Sequence, residues 1–165
     1  MTGSPGSAAG TRLRGLVRAD LADVLALEHE LFPEDPWSAE MFAGELGQPP
    51  ESRLYLLAEA DPGESGPVMA GYAGIMFLPG AQADVLTIAV RASCWGQGIG
   101  SALLGALLAA ARERGCAEVF LEVRADNPRA HGLYLRRGFE EIGVRRGYYQ
   151  PSGTDAIVMR KDLLR

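Results

Sequence analysis

A nearly unbroken apolar run, Val85-Leu86-Thr87-Ile88-Ala89-Val90, stands ahead of a glycine-rich turn over Gly96 to Gly100 and an Ala/Leu segment that stops at Gly115. A strand without a polar face has to be covered on both sides. The segment that follows is helical by its spacing, with Leu103, Leu104, Leu107 and Leu108 on one stripe and Gly115 as a natural C′ residue. A second buried-looking strand, Ala117 to Arg124, leads into Asn127-Pro128, an N-cap with Pro at the first helical position, and Gly138 closes that helix.

The remaining elements follow from the same signals. Residues 1 to 11 read as a flexible polar, glycine-rich tail. Leu13 to Arg18 predicts a strand, and Asp20 caps a helix that Pro33 and Pro36 end. Ser38 caps a second, short helix running to about Leu46. Strands are expected at Arg53 to Glu59 and Val68 to Phe77 around a turn over 61 to 67, and a closing pair at Phe139 to Arg145 and Thr154 to Arg160. The order is strand, two helices, three strands, helix, strand, helix, two strands. A mixed sheet with helices on its faces buries these elements economically.

At 165 residues the chain fits one domain, and 47% apolar residues suffice for a real core, which excludes disorder as its main state. No apolar stretch reaches the roughly 18 residues of a spanning helix, and the polar, glycine-rich start after Met1 is not expected to act as a secretory signal. The two cysteines, Cys94 and Cys116, lie in no C-x-x-C spacing, so a cytoplasmic protein without disulfides or metal is expected. Charge is uneven: residues 1 to 90 hold 4 Arg against 13 acids, and residues 91 to 165 hold 12 basic residues against 8 acids. Such a division suits a polyanionic ligand at one end and a basic one at the other, with scattered solvated charge as the plain alternative. A pI near 5.1 argues against direct nucleic-acid binding.

Three features carry chemistry. In Trp95-Gly96-Gln97-Gly98-Ile99-Gly100-Ser101 the glycines let backbone N–H groups converge at a helix start, a cradle for a pyrophosphate. The turn satisfies neither the dinucleotide fingerprint, since Ser101 replaces the third Gly, nor a P-loop, since no Lys follows. Glu122, among Val119, Phe120, Leu121 and Val123, is expected to lose hydration and become a stronger base, with an ordinary ion pair as the alternative. Tyr134, twelve residues on, is either a core aromatic with a satisfied hydroxyl or a proton donor. Cys94 and Cys116 read as small fillers, and His131 lacks a second His or an orienting acid in the sequence around it. Trp37 reads as a core anchor or a substrate contact. Arg145, Arg146, Tyr148 and Tyr149 read as a loop before the last strand, able to close over a peptide, or as a plain hairpin.

Together these pieces resemble the GNAT family of acetyl-CoA-dependent N-acetyltransferases, over about Arg14 to Lys161. The family's motif A, R/Q-x-x-G-x-G/A, matches Trp95 to Gly100 in its glycines, while Trp95 departs from its first residue. The chain is more closely similar to the RimI-type subgroup, N-terminal alanine acetyltransferases of small-subunit ribosomal protein eighteen. That likeness rests on Asp35-Pro36-Trp37-Ser38, Ile88-Ala89-Val90, Leu121 to Asn127, Leu133-Tyr134 with Gly138-Phe139, Arg145 to Tyr149, and Asp155 to Met159. The resemblance implies a single GNAT domain over 12 to 165, built on a mostly antiparallel twisted sheet of about seven strands with helices on both faces. It implies Glu122 as general base and Tyr134 as general acid. Ile88, Ala89 and Val90 would face the pantetheine arm, Gly96, Gln97, Gly98, Ile99, Gly100 and Ser101 the pyrophosphate, and Asn127 the cofactor. Trp37, Arg145, Tyr148 and Tyr149 would meet the substrate. Acetyl-CoA is the implied cosubstrate, a basic protein N-terminus the partner, and a monomer without membrane attachment the expected state. Another N-terminus, a small-molecule amine, or a non-catalytic acyl-CoA sensor remain alternatives.

Overall fold

The computed structural model describes residues 10–60 and 66–164; the expected tail over 1–9 and most of the turn over 61–67 lie outside the described residues. The elements are β1 (Thr11–Gly15), α1 (Leu21–Leu31), α2 (Ala39–Leu46), β2 (Arg53–Ala60), β3 (Val68–Leu78), β4 (Gln82–Val90), α3 (Ile99–Glu113), β5 (Glu118–Arg124), α4 (Pro128–Arg136), β6 (Glu140–Tyr149) and β7 (Thr154–Asp162). Their order is the expected one. The seven strands form one sheet, β1-β2-β3-β4-β5-β7-β6, in which β4 and β5 run parallel and all other neighbours antiparallel.

Helices cover both faces. One core packs the α3 stripe, Leu103, Leu104, Leu107 and Leu108, on Ile75, Val85, Val119 and Leu121. The other packs Val24 and Leu27 of α1 and Phe42 of α2 on Leu57, Tyr72 and Ala89. Two helix caps are as read, with Ser38 Oγ accepting from Met41 N–H at 3.1 Å and Asn127 Oδ1 from Ala130 N–H at 3.1 Å. Asp20 instead stands before α1 without a side-chain cap bond, because its carboxylate turns back to Val17 N–H at 2.8 Å and to Arg14.

Two features of β4 position the site. Against β3, Gly74 pairs with Thr87 and Ile75 with Val85, so Leu86 is an extra, bulged residue. The bulge shifts which side chains face α3, from Ala83 and Val85 before it to Ile88 and Val90 after it. Against β5, pairing extends only from Gln82↔Glu118 to Val85↔Leu121. Beyond that, Leu86–Val90 stays with β3 and Glu122–Arg124 with β7, and the two parallel strands part. The sheet thus opens beside a backbone edge whose N–H and C=O groups on the β5 side have no ladder partner.

Two boundaries differ from the sequence reading. The first strand is Thr11–Gly15, displaced toward the N-terminus from the expected Leu13 to Arg18, because Leu13↔Ala58 and Gly15↔Leu56 pairing sets its register. Arg145, Arg146, Tyr148 and Tyr149 lie within β6 and not in a loop after it. The ladder passes from Arg145↔Ala156 to Tyr149↔Thr154, with Gly147 at φ 61° absorbing the irregularity and donating its N–H to Asp155 Oδ1 at 2.8 Å.

Candidate active site

The parted strands flank a cavity of about 730 Å³ between the glycine turn, the end of α1 and α4. Its wall includes Ile88, Ala89, Val90, Gly96, Gly98, Ile99, Gly100, Ser101, Asn127 and Tyr134, so every expected cofactor residue except Gln97 is there. The turn explains its glycines individually. Gly96 and Gly98 adopt φ of 79° and 78°, in the left-handed region that a side chain disfavours. At Gly100 a Cβ would come within 3.2 Å of Leu133 Cδ2, so this glycine lets α4 approach α3. The first intrahelical bond of α3 is Ala102 N–H to Gly98 O at 2.9 Å, so the amides of Ile99, Gly100 and Ser101, with no backbone partner among the described residues, can receive an anion. Arg137, which the sequence reading passed over, fastens this end of α3 to α4: its Nε and Nη2 donate to Ser101 Oγ at 3.0 and 2.6 Å.

Tyr134 projects from α4 into the same cavity. Its ring is 5% exposed and meets Phe139 edge-on at 5.9 Å, yet no described residue hydrogen-bonds its hydroxyl. Burial, with the neighbouring Tyr149 adding to it, pushes its pKa well above the ordinary tyrosine value, so the phenol stays protonated at neutral pH.

Glu122 lines a second cavity, of about 410 Å³, with Trp37, Met41, Asp84, Leu86, Tyr148 and Tyr149 among its walls. The expected loss of hydration is corrected here. Strand alternation turns Val119, Leu121 and Val123 into the α3 core, and Glu122 lies on the other face, where its carboxylate is 27% exposed and accepts from Arg145 Nη1 at 2.6 Å. Arg145 itself is not part of the cavity wall. The Glu122 carboxylate, ahead of burial, raises the pKa of Tyr148; burial, then the Glu122 charge, raises that of Tyr149. Tyr149 joins the two cavities: its hydroxyl reaches Glu122 O at 3.4 Å, and Arg124, in the wall of the first cavity, stacks on its ring at 4.8 Å.

Several further groups shape the site. Asp35 and Ser152 join the α1–α2 loop to the β6–β7 turn: Ser152 N–H donates to Asp35 Oδ1 at 3.0 Å, Ser152 Oγ donates to Oδ2, and Arg124 Nη1 reaches the same Oδ2 at 2.6 Å. Burial opposes ionisation of Asp35, but these donors outweigh it and hold its pKa low. Glu28, 2% exposed, accepts from Trp37 N–H at 3.0 Å and from the Tyr72 hydroxyl, fixing the other end of that loop. Asp84 has its pKa raised by burial and by Glu122. His131 does have an acid beside it, with Glu141 Oε1 2.5 Å from Nε2, but neither residue lines either cavity. The charge division is also less clean than its halves suggested, since the first cavity combines Arg124, Arg129 and Arg136 with Glu30, Glu34 and Asp126.

A parted parallel pair, an amide-lined turn at a helix start and a phenol share one cavity, an arrangement suited to acyl transfer. The model of the acetyltransferase (GNAT) family matches residues 20–139. The chain belongs to that family and is an acetyl-CoA-dependent N-acetyltransferase. Within the family its likeness is to RimI-type enzymes. It is 42% identical over 151 residues to N-alpha-acetyltransferase RimI of Mycobacterium tuberculosis, covering 89% of each chain. It is 37% identical over 126 residues to the [ribosomal protein bS18]-alanine N-acetyltransferase of Escherichia coli, covering 75% of this chain and 79% of that one. The crystal structure of the ribosomal-protein-S18-alanine N-acetyltransferase from Escherichia coli superposes with a TM-score of 0.75 at 32% identity, over 93% of this chain and 94% of that one. Arabidopsis thaliana Naa50 in complex with the bisubstrate analogue CoA-Ac-MVNAL matches with a TM-score of 0.75 at 25% identity, over 93% and 99%. Among the described residues no helix is long and apolar enough to cross a membrane.

Proposed function

We propose that this chain moves the acetyl group of acetyl-CoA onto the α-amine of a protein N-terminal alanine, with small-subunit ribosomal protein eighteen as the substrate. The observation that carries this reading is Tyr134, which lines the cavity of the glycine turn and whose hydroxyl no described residue hydrogen-bonds. Acetyl-CoA would lie along Ile88, Ala89 and Val90 with its pyrophosphate on the amides of the turn, and Asn127, whose Oδ1 is spent on its helix cap, would offer its amide nitrogen. The peptide would enter by the second cavity, past Trp37, Tyr148 and Tyr149, with Arg145 at its edge.

The chemistry needs little activation. Freeing an α-amine of pKa about 7.8 at pH 7 costs about 1 kcal/mol, against about 4.6 kcal/mol for a lysine amine, so a modest carboxylate base suffices for the former. The amine nitrogen attacks the thioester carbonyl, forming C–N and breaking C–S. The proton lost from nitrogen goes to Glu122, and Tyr134 protonates the departing thiolate. Unladdered amides of β4 would stabilise the intervening oxyanion. No covalent enzyme intermediate is required. The names of the RimI-type relatives support alanine and ribosomal protein eighteen as the acceptor.

Two measurements test this. Mass spectrometry of ribosomal-protein N-termini from cells lacking the chain is expected to show loss of acetylation on one alanine terminus. In vitro, Glu122→Gln is expected to lower kcat/KM for an alanine-terminal peptide roughly a hundredfold while CoA affinity is retained. Wild-type turnover by that variant, or preference for polyamines over the peptide, would overturn the assignment.

A further inference from the structure

Trp95 and Arg129 both line the first cavity, and the chemistry above uses neither. The indole is fixed from one side, its Nε1–H donating to Val90 O at 2.8 Å. The Arg129 guanidinium lies 4.0 Å from the ring centroid, a cation–π stack that holds a flexible side chain in one place. No carboxylate of a described residue pairs with Arg129, whereas Arg124 in the same wall is held by both Asp35 and Asp126.

Arg129 is exposed, and its position adds to a positive field. Arg129 is the second residue of α4, where the helix dipole is positive and no acidic residue stands in the first turn. The free amides at the start of α3 bring a second positive potential to the same cavity. An anion lying between these positive groups would be attracted to all of them at once.

We infer that Trp95 and Arg129 form a clamp on the nucleotide phosphates of coenzyme A, with α4 supplying across the cavity a side-chain cation that the Trp95–Ser101 turn does not carry. This rests on the reading of the first cavity as the acetyl-CoA site. It also gives Trp95 a positive role: the indole is the platform that aims the arginine.

The test is calorimetric binding of CoA and of 3′-dephospho-CoA to the wild type, Arg129→Gln, Arg129→Lys, Trp95→Ala and the double variant, at several salt concentrations. Binding is read without any amine, so a wrong acceptor assignment leaves the result intact, and a wild type that fails to bind CoA would refute the cavity reading and the clamp together. Arg129→Gln is expected to weaken CoA roughly tenfold, the size of one charge-assisted contact, and to flatten the salt dependence of Kd. Arg129→Lys should recover part of the loss. Trp95→Ala should weaken CoA severalfold and add little in the Arg129→Gln background, because the ring acts through the arginine. A penalty that persists with 3′-dephospho-CoA assigns the contact to the diphosphate, and one that disappears assigns it to the 3′-phosphate. CoA affinity of Arg129→Gln within twofold of wild type, or a loss with unchanged salt dependence, overturns the proposal.

Discussion

Removing one oxygen atom from Tyr134 and from Tyr72 should produce opposite results. Both rings are buried, at 5% and 0% exposure. The Tyr72 hydroxyl donates to Glu28, whose other oxygen accepts from Trp37 N–H. Tyr72→Phe therefore leaves half of a buried carboxylate without a donor, a cost of about 2 kcal/mol. In a domain of this size that lowers Tm by roughly 4–8 °C. Tyr134→Phe orphans nothing, because no described residue bonds its hydroxyl, and Tm should stay within roughly 2 °C of wild type. Its effect should fall on rate: loss of the proposed proton donor to the thiolate is expected to slow transfer on the order of a hundredfold or more. The assay is a single-turnover measurement with an alanine-terminal peptide, since product release often limits steady-state kcat, alongside thermal denaturation of both variants. A Tyr134→Phe enzyme that transfers acetyl within twofold of wild type would refute the acid role. A Tyr134→Phe enzyme that melts as early as Tyr72→Phe would show that the hydroxyl has a structural partner after all.

Gly98→Ala meets nothing within 4 Å, so its cost is the left-handed backbone alone, roughly 1–2 kcal/mol, seen as a lowered Tm together with weaker CoA binding. Glu28 titrates against the fold: burial raises its folded pKa, so its contribution to stability is complete at low pH and declines as pH climbs from about 4.5 through the raised value. Glu28→Gln removes that decline, and the difference in Tm between variant and wild type should shift in the variant's favour between pH 5 and pH 8; a difference independent of pH would show that Glu28 is ionised throughout. Raising salt from about 0.05 to 0.5 M should increase KM severalfold for an arginine-rich peptide and little for a neutral one, and equal responses would remove electrostatic steering from the account.

Local signals determined much of this molecule. The apolar run before a glycine turn, the capping residues Ser38 and Asn127, and the helix stop at Gly115 predict the element order, because each is a backbone preference acting over a few residues. The same segment singled out the cavity wall, since Gly96 and Gly98 are required by the chain's own dihedral angles. The environment of Glu122 was not legible in this way. Its apolar neighbours in sequence turn to the opposite face, and its partner is Arg145, 23 residues away on a strand that β7 separates from β5. Likewise the Leu86 bulge, the parting of β4 from β5, and the grip of Ser152 on Asp35 arise from pairing between distant segments. Sequence specifies what each segment prefers; which charges meet, and where the sheet opens, depends on contacts that exist only after the strands have found their neighbours.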